Sequence, residues 1–369
     1  MRLSSLAVLF SVSFSASVSA SSKSPFNPRS YAKNTATCKA TNRAEGTEVD
    51  IDIRYVDINP SAKTTLLMVH GWPSLWSTWS NQIQEFKDEY RLVLPDVRGF
   101  GESTHPGDVR SSGMIPDLVA DMVCVLEHAG VSSAVCVGHD WGSQVCYAAA
   151  RMRPDLFEGV VGVTIPYIPS AGPFLPLERL VEAFPKLNYQ LFFDKKTDEA
   201  VAELNKDVRR SVRSTLRSNA SPPPDAFLQS RTSFLDAWAD VAEIPPVPFF
   251  TPEEEDYFVE QYSIQGFQYT LQHYTEENRR GAWAVANSQG NHTIPVPVLS
   301  VLPTQDPVAD WAMAAKLFKS ADYLPNSQTV FMDGEHWCHI EYPDKFNAIM
   351  RRWLEEKFGG KKGGGHDEL

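Results

Sequence analysis

Short apolar runs recur along this chain at Leu66-Leu67-Met68-Val69, Leu92-Val93-Leu94, Ala134 to Val137, Val160-Val161-Gly162-Val163, Val298-Leu299-Ser300-Val301 and Val330-Phe331-Met332. Runs of this length read as buried strands. Before them, Val49, Ile51, Ile53 and Tyr55 alternate with polar residues, the pattern of a half-buried strand. Between several runs the period changes. From Ile115 to Gly130, positions 118, 119, 122, 123, 125 and 126 are apolar and share one helical face. Strands alternating with helices predict the α/β class, with a mostly parallel central sheet and helices on both faces. In such sheets, ligands sit beyond the carboxyl ends of the strands.

The alternation stops between 167 and 294. This stretch is helical and aromatic-rich, interrupted by Ser221-Pro222-Pro223-Pro224 and Ile244-Pro245-Pro246-Val247-Pro248. It reads as a helical cap inserted between two parts of one core, residues 47–166 and 295–358. Residues 21–46 are rich in Ser, Asn and Thr and are expected to form an extended arm ahead of the core.

The ends carry addresses. A basic start, the apolar run Leu6 to Val12 and the small residues Val18-Ser19-Ala20 predict a signal peptide over 1–20. The run is too short for a transmembrane anchor, so no membrane segment is expected after its removal. Residues 359–369 read as a flexible tail ending in His366-Asp367-Glu368-Leu369, a retrieval signal for the endoplasmic reticulum. The expected location is therefore its lumen, with the retrieval receptor as a partner. Asn219-Ala220-Ser221 and Asn291-His292-Thr293 are N-glycosylation triplets.

A chain of 369 residues, 43% hydrophobic, is ample for a large core, and its net charge of −12 argues against a nucleic-acid or anionic-membrane partner. The five cysteines have no metal or redox spacing. Cys124, Cys136 and Cys146 sit in apolar runs and read as packing residues, which leaves Cys38 and Cys338 as the candidate pair. No metal and no cofactor is expected.

The chemistry is concentrated at Gly138-His139-Asp140-Trp141-Gly142, between an apolar run and a helical stretch. Small–x–nucleophile–x–small at a strand-to-helix turn is the nucleophile elbow of an α/β hydrolase. Asp140 at the centre also fits a helix N-cap, but a cap needs neither flanking glycine. A carboxylate nucleophile is ionised at neutral pH and suits displacement at saturated carbon, giving an alkyl ester. After the first core run, His70-Gly71-Trp72-Pro73 can aim the Trp72 amide at the point that the Trp141 amide faces, forming an oxyanion hole. The base that hydrolyses the ester is expected to be His336, after the last apolar run, with His339 as a rival. Asp306 is the candidate to orient it, with Asp310 as a second possibility; each also fits a loop or capping role.

With these residues in place, the chain closely resembles the soluble epoxide hydrolases of the α/β-hydrolase fold, over about residues 48 to 358. The motifs that carry the likeness are HGWP at 70, Asp96-Val97-Arg98-Gly99-Phe100-Gly101-Glu102-Ser103, GHDWG at 138 and His336-Trp337. The resemblance implies two cap tyrosines that bond the epoxide oxygen, and Tyr189 and Tyr274 stand in the matching segments. An alkoxide is a poor leaving group unless protonated or strongly hydrogen-bonded, whereas a halide needs no proton. Ser143, where a second glycine is frequent, and Glu335, in place of glycine before His336, depart from the pattern. The expected reaction is hydrolysis of a small hydrophobic epoxide to a vicinal diol. Haloalkane dehalogenases share the aspartate, but they commonly carry Asn where Trp72 stands. A hydrolase-fold binding protein without catalysis is the third reading.

Overall fold

The computed structural model describes residues 25–359. The expected signal peptide over 1–20 and the expected retrieval signal over 366–369 lie outside the described residues.

The chain begins with an antiparallel pair, β1 (Lys33–Asn42) and β2 (Thr47–Ile58). It continues through β3 (Thr65–Val69), α1 (Ser80–Phe86), β4 (Arg91–Pro95), α2 (Ile115–His128), β5 (Ala134–His139), α3 (Trp141–Met152) and β6 (Phe157–Val163). One eight-stranded sheet results, completed by β7 (Val298–Pro303) and β8 (Ser327–Met332), in the order β1-β2-β4-β3-β5-β6-β7-β8. All pairs from β4 to β8 are parallel. This is the predicted α/β-hydrolase architecture.

Burial follows position in the sheet. β3, β5 and β7 are buried at every residue, as strands covered on both faces must be. β1 alternates, with Ala36, Cys38 and Ala40 inward and their neighbours partly or fully exposed. The expected arm over 21–46 is thus corrected: residues 33–42 are the edge strand of the sheet. Small residues supply its buried face, and Thr favours the pleated backbone.

The step from β3 to β4 runs one way across the sheet, and the steps from β4 to β5 and β6 run the other. Right-handed crossovers then put α1 on one face and α2 and α3 on the opposite face. The packing agrees: α2 lies against α3, while α1 lies against α12 (Pro343–Phe358). The direction reverses between β3 and β5, which makes their carboxyl ends the crevice of the fold.

Between β6 and β7 lies the helical insertion: α4 (Leu177–Ala183), α5 (Asn188–Lys195), α6 (Thr197–Lys206), α7 (Val208–Thr215), α8 (Pro252–Gln265) and α9 (Glu276–Gln289). The proline clusters at 222–224 and 245–248 fall outside its helices. α10 (Trp311–Leu317) follows β7, and α11 (Cys338–Glu341) follows β8. No helix among the described residues is long and apolar enough to cross a membrane.

The cysteine reading is also corrected. Cys38 bonds Cys124, tying β1 to α2, and Cys136 bonds Cys146, tying β5 to α3. Cys338 is free and buried. The apolar settings that suggested packing residues at 124, 136 and 146 hold three half-cystines, and the fourth, Cys38, pairs with Cys124 rather than Cys338.

Candidate active site

The crevice between β3 and β5 receives one loop from each strand. After β5 the backbone turns sharply into α3, and Asp140 sits on the turn at φ 55°, ψ −123°. A positive φ at a non-glycine residue costs roughly 1–3 kcal/mol and persists only where the surroundings enforce it. Close backbone contact provides that enforcement. A Cβ on Gly142 would overlap the carbonyls of Val69 and His70, and one on Gly71 would overlap the Asp140 carboxylate itself.

The loop after β3 is held by His70. The Val97 amide donates to His70 Nε2 at 3.0 Å, so the proton sits on Nδ1, which donates to the Gly71 carbonyl at 2.9 Å. Burial holds His70 below its ordinary pKa, keeping this tautomer neutral. The turn continues through a cis Trp72–Pro73 bond. It delivers the Trp72 amide to Asp140 Oδ1 at 2.9 Å. Trp141 is the first residue of α3, so its amide has no acceptor within the helix.

His336 reaches the same carboxylate from the loop after β8. Its Nε2 is 3.5 Å from Asp140 Oδ2, and its Nδ1 donates to Asp306 Oδ2 at 2.8 Å. Asp306 follows β7 and is held by the Val308 amide (2.8 Å) and the Trp311 indole N–H (2.5 Å). The His336 carbonyl receives Thr164 Oγ1 and His139 Nε2, both at 2.9 Å, which pins the loop from below.

Electrostatics within this relay are strongly coupled. Burial disfavours the charged imidazole, but Asp306 and Asp140 together outweigh it and raise His336 to about 10. Burial disfavours the Asp140 carboxylate in turn, yet the His336 hydrogen bond and charge and the Trp72 amide leave it below the usual carboxylate value. The His336 ring thus lies between the carboxyl groups of Asp140 and Asp306.

The alternative residues lie elsewhere. Asp310 is exposed and caps α10, accepting the Met313 amide at 2.9 Å. His339 is buried against Trp79 and His139, with both ring nitrogens unpartnered among the described residues. Burial, together with His139 and His336, drives its pKa well down.

Above the carboxylate stand two phenols from the insertion. Tyr189 is on α5, and Tyr274 ends the short helical turn before α9. Their rings are 5.7 Å apart, and Tyr274 packs edge-on against Trp141 at 5.6 Å and Trp72 at 5.5 Å. Burial, reinforced by the Asp140 charge, raises both phenols above their ordinary pKa, so both are protonated donors at neutral pH. The Trp72 indole N–H is already committed to Thr270 Oγ1 at 3.1 Å.

Asp140, His336, Tyr189 and Trp72 line a cavity of about 40 Å³. A second cavity, about 540 Å³ and mostly apolar, reaches Trp141 and Gln190, the residues after Asp140 and Tyr189. Among the described residues, no cluster of His, Cys, Asp or Glu could hold a metal ion. Sequence patterning missed Trp311, Thr164 and His139 as supports of the relay. Trp311 stands five residues after Asp306, but nothing in the chain announces that its indole turns back.

A sequence profile of the alpha/beta hydrolase fold matches residues 64–343. The chain is 27% identical over 317 residues to bifunctional epoxide hydrolase 2 of Mus musculus, covering 83% of this chain and 56% of that protein. It thus spans about half the length of the mammalian relatives that it matches. It is 28% identical over 313 residues to epoxide hydrolase A of Mycobacterium tuberculosis, covering 82% and 94%. Among solved structures, epoxide hydrolase A from Mycobacterium thermoresistibile superposes with a TM-score of 0.72 at 25% identity, covering 88% of this chain and 98% of that one.

Proposed function

The chain belongs to the alpha/beta hydrolase fold family, and from that premise we propose that it is an epoxide hydrolase that forms and then hydrolyses an ester on Asp140. The observation that carries this reading is the placement of two buried phenols over the nucleophile: Tyr189 lines the same cavity as Asp140, and Tyr274, its ring 5.7 Å from that of Tyr189, packs on Trp72 and Trp141. The names of the relatives in M. musculus and M. tuberculosis point the same way.

The reaction has two steps. The Trp72 amide holds Asp140 Oδ1, which leaves Oδ2 as the attacking atom. Oδ2 bonds one epoxide carbon, the carbon–oxygen bond breaks, and Tyr189 and Tyr274 donate to the departing oxygen. Ester formation removes the negative charge of Asp140. His336 then faces one carboxylate rather than two, its pKa falls, and its proton passes by way of the phenols to the oxygen released by ring opening, which completes that hydroxyl and leaves a neutral imidazole as the base. It takes a proton from water, whose oxygen attacks the ester carbonyl carbon. The carbonyl oxygen develops charge against the Trp72 and Trp141 amides. As the intermediate collapses, the ester oxygen takes the proton from His336 and leaves in the diol, and the Asp140 carboxyl group then passes its own proton to His336, which restores the carboxylate and the imidazolium. No step calls for a metal or cofactor.

The commitment of the Trp72 indole to Thr270 weighs against halide release, where it would be needed as a free donor. The intact relay of Asp140, His336 and Asp306 weighs against a purely binding role.

The lumen of the endoplasmic reticulum is the proposed location. Its support is the leader-like start, the His366-Asp367-Glu368-Leu369 ending and two disulfides, which suit an oxidising compartment. The retrieval receptor is the partner this address implies. Asn219 and Asn291 are exposed, as glycosylation requires.

The test is product analysis with aryl and aliphatic epoxides and, in parallel, haloalkanes. Diol formation that disappears in Asp140→Asn is expected. Halide release without diol overturns the reading.

A further inference from the structure

Ester hydrolysis needs a water within reach of both His336 Nε2 and the Asp140 carboxyl carbon. The cavity of about 40 Å³ is lined by both side chains. One water takes roughly 10–15 Å³ and two to four polar partners, so there is room for two or so. Glu335, the residue before His336, lines the same cavity. It is only 7% exposed, an unusual place for an acidic side chain without a partner.

The groups around Glu335 leave its carboxyl unengaged. Its backbone amide donates to Glu341 Oε2 at 3.0 Å, while Glu341 Oε1 takes the Asn219 amide at 2.9 Å. Glu341 thus fixes the Glu335 backbone and ties it to the insertion. Arg217 also lines the cavity, but its five N–H groups are committed. They donate to the carbonyls of Arg213, Ser221, Pro245 and Pro246 and to the Ser221 hydroxyl, at 2.6 to 3.2 Å. The Glu335 carboxyl makes no hydrogen bond or ion pair among the described residues. Its oxygens keep accessible surface, unlike the sealed ring nitrogens of His339. Burial, with Glu341 and Asp306 nearby, pushes this carboxyl up to about 7. In either protonation state it offers an acceptor oxygen.

We propose that Glu335 holds the water that hydrolyses the Asp140 ester. One hydrogen of that water points to His336 Nε2 and the other to the Glu335 carboxyl, which turns an oxygen lone pair toward the ester carbonyl carbon. His336 takes the proton as the new carbon–oxygen bond forms, and Glu335 takes none. The role in turnover rests on the proposed ester mechanism; the water site rests on the cavity and its lining.

Two measurements test this. Crystal structures of the parent and Glu335→Leu, at a resolution that shows ordered water, test the site. A water within hydrogen-bond reach of both the Glu335 carboxyl and His336 Nε2 is expected in the parent and should be lost in Glu335→Leu. Single-turnover kinetics with an aryl epoxide test the role. Glu335→Leu should slow ester hydrolysis about 10-fold, the loss of one hydrogen bond, and leave the rate of ester formation unchanged. Glu335→Gln keeps an acceptor oxygen in the same place and should recover most of the rate, and unfolding curves check that both variants fold. No shared water in the parent, the same water in Glu335→Leu, equal ester hydrolysis in Glu335→Leu and the parent, or a Glu335→Gln as slow as Glu335→Leu overturns the proposal. If no epoxide yields an ester on Asp140, the catalytic reading fails, and the crystal structures still decide the water site.

Discussion

Replacing Asp140 with Asn should convert His336 from an acid into a base. The variant keeps the shape of the carboxyl group and removes its charge, as ester formation does. In the parent, His336 stands near 10, with Asp140 Oδ2 at 3.5 Å and Asp306 Oδ2 at 2.8 Å. At an effective dielectric of about 20, one charge at that distance from Nε2 contributes roughly 5 kcal/mol, or some 3 to 4 pK units. Losing it should bring His336 to about 6 to 7, where general bases work best near neutral pH. The assay is heteronuclear NMR of protein labelled at its histidine rings, titrated between pH 5 and 10.5, with His336→Gln assigning the resonance. The expected outcome is a protonated ring through pH 9 in the parent and half-protonation near neutrality in Asp140→Asn. A His336 ring that titrates near neutrality in the parent, or stays protonated through pH 9 in the variant, would refute the charge-switch argument.

The phenols, the relay support, the disulfides and the buried imidazoles give further tests. Tyr189→Phe and Tyr274→Phe should each slow formation of the Asp140 ester about 10- to 100-fold, and single-turnover kinetics should show ester hydrolysis unaffected. Trp311→Phe removes the 2.5 Å donor to Asp306 and should lower kcat about 10-fold with little change in KM, read from steady-state rates. Reduction should destabilise the fold: chain separations of 10 and 86 residues predict roughly 3 kcal/mol for Cys136–Cys146 and about 4.5 kcal/mol for Cys38–Cys124, measured by denaturant unfolding of Ser variants. His139 and His273 are both held near 3 by burial, so below pH 6.5 the unfolded chain binds protons that the folded one refuses. Stability should therefore fall with pH from about 6.5 towards 3, by roughly 3 kcal/mol in total at pH 5.5, and an unchanged unfolding midpoint between pH 7 and 5.5 would contradict this.

Some elements were legible in the chain because their information is local. β3, β5, β6 and β7 announce themselves as continuous apolar runs, and Asp140 stands between two glycines that only a tight turn requires. β1 was hidden because Ala36, Cys38 and Ala40 bury little area, so the alternation of its faces is weak in hydrophobicity. The disulfides were hidden because proximity of Cys38 to Cys124 depends on α2 packing over the sheet edge. Asp306 and Asp310 are four residues apart and chemically identical; what separates them is that Asp310 is consumed at the start of α10 while Asp306 faces back over β7.

The division of labour between core and insertion limits what each can decide. Asp140, His336, Asp306 and the two amides all come from the carboxyl ends of the sheet strands, and in the proposed mechanism they make and break the ester whatever alkyl group it carries. They do not distinguish an epoxide from a halide, since the carboxylate attacks carbon in both. That distinction lies with the leaving atom, and the groups proposed to face it, Tyr189 and Tyr274, come from the helical insertion. Ester hydrolysis should therefore survive substitutions throughout the insertion, while epoxide opening and the choice of substrate should not. The two halves of the reaction report on two structural layers. A variant that accumulates the Asp140 ester has lost a function of the core, and one that never forms it while keeping the Asp140–His336 coupling has lost a function of the cap.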